Sequence, residues 1–140
     1  MAITINRTMR DGAQTASFEV VSTGDNPADA GTIVDISTLS GGLGDGSERV
    51  RITRVEAFVC GDGTTAGTSL SLSWGGDDVF LTLPEGVFSQ NITFWPTAMA
   101  DAADAGDIIF TATINTPFTL RLYVEKAEGF PNSVARGLGS

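Results

Sequence analysis

Hydrophobic and polar residues alternate with a period of two along most of this chain, and this alternation constrains the fold more than any other feature. Residues 69–74 read Ser-Leu-Ser-Leu-Ser-Trp, so that both leucines and Trp74 share one face of an extended segment. Residues 79–83 alternate in the same way after the turn sequence Gly-Gly-Asp-Asp at 75–78. Alternating runs joined by a glycine pair are typical of a β-hairpin. We expect Pro84 to end its second strand, because proline has no N–H to donate.

The same alternation predicts six further strands. They are expected at 16–22, 32–36, 49–60, 87–95, 107–114 and 118–126. Within 49–60 the phase shifts near Thr53 and Arg54, which indicates a β-bulge or a bend that carries the strand into a second sheet. The only helix candidate, 97–105, lacks an apolar face and is interpreted as a loop. About eight strands without an interposed helix predict an all-β fold, an antiparallel β-sandwich or jelly roll.

The length of 140 residues predicts a single structural domain. We expect an N-terminal arm at 1–15, the β-sandwich domain at 16–128 and a flexible C-terminal tail at 129–140. No apolar run approaches the ~20 residues that cross a bilayer, so no membrane partner is predicted. Residues 1–10 contain no hydrophobic stretch of the kind found in signal peptides, and we therefore expect synthesis in a cytoplasm.

Charge is distributed unevenly along the chain. The net charge is −9, and without Arg7, Arg10 and Arg136 there remain 5 bases and 17 acids, a net charge of −12 for the body of the protein. An acidic body repels phosphate, so nucleic acid is not an expected partner. The basic ends are interpreted either as arms that lie on an acidic neighbour or as loose, solvated termini.

Groups able to carry catalysis are scarce. With no histidine and a single cysteine, Cys60, the chain cannot form a Ser-His or Cys-His pair or a closed zinc site. We expect Cys60 to be a buried, inert thiol. Lys126 follows Glu125 and is interpreted as a solvated salt-bridge partner, and the glycines at 41–46 open no helix that would bind phosphate. The sequence therefore predicts no catalytic residue, no metal ligand and no cofactor.

Aspartates are the remaining candidates for metal binding. Asp101, Asp104 and Asp107 lie within seven residues, and an Asp-Asp pair occupies the expected hairpin tip at 77–78. Three carboxylates with backbone carbonyls can bind calcium. The spacing matches no EF-hand, so turn residues that bond to nearby backbone are the preferred interpretation.

Two tryptophans and three arginines are candidates for recognition. Trp74 shares its face with leucines, which predicts a core or interface position. Trp95 falls opposite the neighbouring apolar side chains, where it either stacks on a sugar or a partner or caps a sheet edge. Arg49 and Arg51 alternate with apolar residues and are expected on one solvent face, with Arg54 following the phase shift. They either pair with acids of this chain or dock a neighbouring subunit.

The order of strand patterns over residues 48–126 resembles small virion proteins of tailed bacteriophages. The resembling stretches are Arg-Ile-Thr-Arg-Val at 51–55, Ser-Leu-Ser-Leu-Ser-Trp at 69–74, Val-Phe-Leu-Thr-Leu-Pro at 79–84, Gly-Asp-Ile-Ile-Phe-Thr at 106–111 and Thr-Leu-Arg-Leu-Tyr-Val-Glu-Lys at 119–126. The resemblance implies a noncatalytic decoration or cement protein on the outer capsid surface of a virion. Its implied partners are the major capsid protein and copies of itself, with a trimer as the expected oligomer. No functional residue is carried over, because the motifs are strand patterns.

Composition agrees with a surface covered by partners, since only 18% of residues are charged and the mean hydropathy is +0.12. A phage tail or head–tail completion protein is the second structural interpretation. An interpretation from another class is a carbohydrate-binding β-sandwich that uses Trp95, with calcium at 101–107. If the N-terminus is an arm, deletion of residues 1–12 weakens lattice binding and leaves the domain folded.

Overall fold

The computed structural model describes residues 3–24, 30–43, 48–60, 68–75, 78–95, 106–113 and 116–130, apart from the side chains of Thr4 and Asp78. These residues form nine strands and one short 3₁₀ turn, Ile36–Thr38. The strands are β1 (Ile3–Asp11), β2 (Thr15–Ser22), β3 (Ala30–Val34), β4 (Arg49–Val59), β5 (Ser69–Trp74), β6 (Asp78–Pro84), β7 (Gly86–Phe94), β8 (Ile108–Ala112) and β9 (Phe118–Glu128). Within the described ranges, no helix is long and apolar enough to cross a membrane.

The strands form two antiparallel sheets. The five-stranded sheet has the order β1-β2-β9-β4-β7, and the four-stranded sheet has the order β3-β8-β5-β6. From β2 onward the pairing is nested, because β2 pairs with β9, β3 with β8, β4 with β7 and β5 with β6. A long hairpin folded over in this way is a jelly roll. The predicted all-β fold class is confirmed, in its jelly-roll form.

The core lies between the two sheets and is formed by the apolar residues of the alternating strands. In the five-stranded sheet, Phe18 and Val20 of β2 face inward beside Leu120 and Leu122 of β9, and all four are buried. In the four-stranded sheet Trp74 is 1% exposed, so its predicted core position is confirmed. Each such side chain contributes about 1.5–3 kcal/mol to the free energy of unfolding.

Three aromatic side chains close the sandwich where β6 and β7 meet. The β5–β6 pairing shifts by one residue between Leu72 and Ser73, which makes Phe80 the extra residue of β6. The Phe80 ring lies 5.0 Å from the Trp74 ring and 4.8 Å from the Phe94 ring, measured between centroids. The register shift therefore brings an aromatic side chain of each sheet into contact.

The predicted bulge in the long strand is confirmed. The register shifts between Ile52 and Arg54 against both neighbouring strands. Thr53 is the extra residue of β4 relative to β9, whereas relative to β7 the extra residue lies on β7, between Asn91 and Phe94. Ile52 faces the core and Arg54 faces outward. The strand does not cross to the other sheet, since β4 pairs with β7 and β9 along its length.

The N-terminal segment differs from the expectation of an arm at 1–15. β1 lies within it and pairs with β2 from Ile3 opposite Ser22 to Asp11 opposite Ala16. Its sequence is mostly polar and therefore did not indicate a strand, but pairing satisfies the backbone groups on the free edge of β2. In the expected tail, Phe130 is buried, and residues 131–140 lie outside the described part of the chain.

Candidate binding face

The outer face of the five-stranded sheet is organised in rows that cross the strands. Residues directly opposite in an antiparallel pair point to the same side of the sheet, so the register defines which outer residues are neighbours. The apolar row consists of Ile5, Val21, Thr119, Phe58 and Val87; the charged row of Arg7, Glu19, Arg121, Glu56 and Ser89; and the mixed row of Arg10, Ser17, Tyr123, Arg54 and Asn91. All three rows cross all five strands.

In the charged row, arginines of both neighbouring strands bind the carboxylate of Glu19. Arg7 of β1 lies 2.8 Å from Glu19 Oε1, and Arg121 Nε of β9 donates to Oε2 at 3.0 Å. Hydrogen bonds from Arg121 and then from Arg7 hold the pKa of the Glu19 carboxyl below its usual value. The carboxylate is thus neutralised within the chain although it lies on the outer face.

A second cluster surrounds Arg54 on the same face. Arg54 Nε donates to Glu56 Oε2 at 3.0 Å, and its other guanidinium nitrogens donate to Asn91 and Ser89. Glu56 Oε1 accepts from the Tyr123 hydroxyl at 3.1 Å. The hydrogen bond from Arg54 lowers the pKa of Glu56, whereas burial and then the neighbouring Glu56 raise the pKa of Tyr123. Of the two interpretations of Arg54, pairing within the chain is the one observed.

An open depression of about 580 Å³ lies along the mixed row. Its lining includes Arg10, Ser17, Arg54, Asn91 and Tyr123. Arg10 forms no ion pair or side-chain hydrogen bond with the described residues, so its guanidinium is available at the rim. The depression therefore offers hydrogen-bond donors and acceptors to a polar ligand or partner.

Trp95 follows β7 and borders the same face. Its side chain is exposed, at 56%, and the Arg51 guanidinium lies 5.4 Å from the centre of its ring. Arg51 Nε also donates to Glu125 Oε1 at 2.6 Å, so this arginine too pairs within the chain. The predicted position of Trp95 opposite the neighbouring apolar side chains agrees with this exposure, and its role in stacking or in edge capping stays a prediction. Stacking against Arg51 holds the indole at this position.

The apolar row contains three of the large hydrophobic side chains that are exposed in the structure. Ile5 is 37% exposed, Phe58 53% and Val87 79%. A smaller depression of about 210 Å³ lies between Phe58, Val87, Thr119 and Arg121. An apolar row beside charges that are already paired is a surface suited to protein contact.

The outer face of the four-stranded sheet is different in kind. Among the residues described there it carries hydroxyl and small apolar side chains and no charge. Across β3, β8, β5 and β6 the rows are Ala30, Thr111, Ser71 and Thr82, then Thr32, Ile109, Ser73 and Val79. The Ser71 and Thr82 hydroxyls lie 3.2 Å apart, and either oxygen can donate.

The prediction that Lys126 is solvated was wrong. Its side chain is 0% exposed, and Nζ donates to Asp11 Oδ1 at 2.5 Å and to the carbonyl oxygens of Gly12 and Ser40, each at 2.7 Å. The Phe130 ring lies 5.3 Å away. Lys126 is the next inward-facing position of β9 after Val124. The alternation of that strand therefore already indicated that its side chain points into the core. A buried ammonium needs oxygen partners, which the two neighbouring loops supply.

The prediction of a shared solvent face for Arg49 and Arg51 was also wrong for Arg49. This residue is 4% exposed, and its Nη1 donates to the carbonyl of Glu48 at 2.6 Å. The register between β4 and β9 shifts between Arg49 and Val50, which turns Arg49 away from the face that carries Arg51.

Cys60 is half-buried and not fully buried as expected. Its N–H donates to the carbonyl of Pro117 at 2.9 Å.

Of the candidate aspartates, only Asp107 has a described side chain. Its Oδ1 accepts from the N–H of Ile36 at 2.8 Å, so the carboxylate bonds to backbone distant in sequence. Asp101, Asp104 and Asp77 lie outside the described residues, as does the side chain of Asp78. In the described part of the chain, no three potential metal ligands cluster together.

No protein-family model matches this chain, and no curated protein is significantly similar to it in sequence.

Proposed function

We propose that this protein is a noncatalytic virion protein that decorates or cements a phage capsid, with the major capsid protein and copies of itself as partners. The observation that carries the proposal is the outer face of the five-stranded sheet. It presents a row that crosses five strands and exposes the apolar side chains of Ile5, Phe58 and Val87, beside charges that already have partners within the chain. The strand-pattern resemblance to small phage virion proteins supplies the capsid as the specific partner.

The balance of charges on this face supports a protein partner. Glu19 and Glu56 are neutralised by arginines of the same chain, so a partner does not need to supply counter-charges. Covering Phe58 and Val87 removes apolar surface from water, at roughly 25 cal/mol for each Å². The apolar row is therefore the expected centre of the contact, and the arginines its rim.

Mass spectrometry of purified particles of the phage that carries this gene tests the role. A copy number comparable to that of the major capsid protein is expected for a decoration protein. A copy number that matches a single ring indicates instead a tail or head–tail completion protein. Absence from the particle contradicts every virion role.

The apolar row is tested by Phe58→Asp in a capsid-binding assay. We expect binding to weaken about 30-fold, equivalent to the ~2 kcal/mol of an interface hot spot. Thr82→Asp is the matched control, since it places the same charge on the outer face of the four-stranded sheet. Equal effects of the two substitutions would show that this row is not the contact.

A carbohydrate-binding module is the second candidate function, favoured by the exposed Trp95 and the polar depression on the same face. Indole rings stack on sugars, and the Arg10, Asn91 and Tyr123 side chains supply hydrogen-bonding groups. A glycan array probed with the wild-type protein and Trp95→Ala tests this role. A signal that disappears in the variant supports it, and silence of the wild type removes it. An unchanged melting temperature with calcium or EDTA removes the calcium-dependent form.

A further inference from the structure

β7 ends the five-stranded sheet and has no strand on its other edge among the described residues. Its sequence, Gly-Val-Phe-Ser-Gln-Asn-Ile-Thr-Phe, contains no charged residue and no proline. Six of its nine residues are exposed, and Val87 is the most exposed large hydrophobic side chain described. A long, uncharged edge of this kind can pair with another strand.

The other three sheet edges carry features that oppose such pairing. β1 has two register shifts and the charged side chains of Arg7 and Arg10. β3 is five residues long, and Asn6 Nδ2 of β1 donates to its Thr32 carbonyl at 3.2 Å. β6 has a register shift and ends in Pro84. Short edges, charges, bulges and proline are the means by which proteins protect a free edge. Of these, β7 has only one register shift against β4, between Asn91 and Phe94.

The side chains of β7 are of similar kind at equal distances on either side of Gln90. In an antiparallel pair centred on that residue, each pair joins side chains of similar kind on one face of the sheet. The opposing pairs are Val87 with Thr93, Phe88 with Ile92, Ser89 with Asn91, and Gln90 with itself. A two-fold interface requires this self-complementarity, because the same surface must contact itself.

We propose that β7 pairs with β7 of a second copy of this chain, antiparallel and centred on Gln90, to form a continuous ten-stranded sheet. The net charge of −9 makes two copies repel each other, and an uncharged edge is the place where that repulsion costs least. On the inner side, Phe88 and Ile92 are only partly buried at the open side of the sandwich. The partner's Ile92 and Phe88 would cover them.

This pairing produces a dimer and not the trimer that the phage resemblance implies. The dimer rests on the proposed function, because it specifies how copies of this chain, one of the proposed partners, bind each other. The mass of the free protein is measured without capsid. A failed dimer and a failed capsid role are therefore distinguishable.

Light scattering with size-exclusion chromatography of the full chain tests the proposal. We expect a mass of twice the 14.5 kDa chain at micromolar concentration. Val87 and Thr93 are exposed residues that lie opposite each other only in the proposed pair. The double variant Val87→Lys/Thr93→Lys should therefore be a monomer, because lysines face lysines. The matched variant Val87→Lys/Thr93→Glu should remain a dimer, because lysine faces glutamate.

Disulfide cross-linking tests the register. Opposite residues in an antiparallel pair lie about 4.5–5.5 Å apart between Cα atoms, within the range a disulfide spans. Gln90→Cys in a Cys60→Ser background should form a covalent dimer on mild oxidation, while Thr82→Cys in the same background should not. Circular dichroism confirms that each variant is folded.

A wild-type protein that is monomeric under these conditions overturns the proposal. An oligomer whose mass is the same in both lysine variants, a trimer included, also overturns it. Dissociation by Val87→Lys/Thr93→Lys without cross-linking through residue 90 overturns the proposed register.

Discussion

At the scale of single residues, the buried ammonium of Lys126 joins three parts of the chain. Its partners are Asp11 at the end of β1, Gly12 directly after it and Ser40 after the 3₁₀ turn. Burial raises the pKa of Asp11, but hydrogen bonds from Lys126 and Ser40 outweigh it, and the net pKa is lowered. The ion pair is therefore part of the packed interior of the protein and not a surface interaction.

Replacing Lys126 tests this assignment. Lys126→Met keeps the apolar stem but leaves Asp11 and two carbonyl oxygens without their donor, and we expect a loss of about 3 kcal/mol in the free energy of unfolding. The control is Arg51→Met, which removes a partly exposed ion pair with Glu125 and should cost no more than about 1 kcal/mol. Urea denaturation measures both. Equal losses would contradict the special role of Lys126.

The paired carboxylates make stability depend on pH in the acid range. The pKa values of Asp11, Glu19 and Glu56 are all lowered in the folded chain. Their contribution is therefore fully present above the usual carboxyl pKa of about 4 and is lost as the pH falls through the lower folded values. We expect the free energy of unfolding to decrease below about pH 5.

Glu56→Gln should make the loss of unfolding free energy at acid pH shallower, because the variant lacks one carboxyl group whose pKa is lowered by folding. Denaturant unfolding at a series of pH values gives the slope. Thr82→Ala, an exposed change that adds and removes no titratable group, should leave the slope as in the wild type. An unaltered slope in Glu56→Gln would show that this carboxyl has the same pKa in the folded and unfolded chain.

At the scale of elements, β1 is a strand of the sheet whose charges serve the fold. It supplies Arg7 to Glu19, and Asp11 at its end binds Lys126. Deletion of residues 1–12 should therefore destabilise the domain by at least about 3 kcal/mol, because it removes a ladder and leaves Lys126 without its carboxylate. This outcome differs from that of an arm, whose removal leaves the domain intact.

Thermal unfolding of the deletion variant measures the effect. Arg10→Ala is the comparison, since it removes a basic charge near the N-terminus without removing the strand, and its change should stay within about 0.5 kcal/mol. If the deletion variant is as stable as the full chain, residues 1–12 act as an arm and not as part of the folded domain.

The aromatic contact between the sheets gives a second test at this scale. Phe80→Ala should cost about 2–3 kcal/mol, below the full loss for a buried phenylalanine because this ring is only partly buried. Val79→Ala, one residue away and 56% exposed, should change stability by less than about 0.5 kcal/mol. Chemical denaturation separates the two. Similar costs would show that the register shift does not bring Phe80 into the core.

At the scale of the whole molecule, the nested pairing joins the two ends of the chain. Phe18 of β2 lies opposite Leu122 of β9. Because such contacts close long loops, we expect refolding to take milliseconds to seconds or longer. At equilibrium, fluorescence and circular dichroism should report the same single cooperative transition. Stopped-flow refolding tests this expectation. A microsecond phase that recovers all of the signal would contradict it.

Part of the candidate face was predictable from the sequence. The outward position of Trp95 and the bulge at Thr53 follow from the alternation alone. The rows were not predictable, because they depend on which strands become neighbours. Nothing near Glu19 in the sequence indicates that Arg121, 102 residues away, binds its carboxylate.

The sequence by itself determined the strands from β2 to β9 and most of their inward-facing positions, because a period of two is a local property of an extended backbone. At the register shifts near Arg49 and Phe80 the faces differ from the alternation. Only the tertiary structure decided the strand order, the inclusion of β1 and the partners of Lys126. These depend on pairing between segments far apart in the chain, which local patterns do not encode.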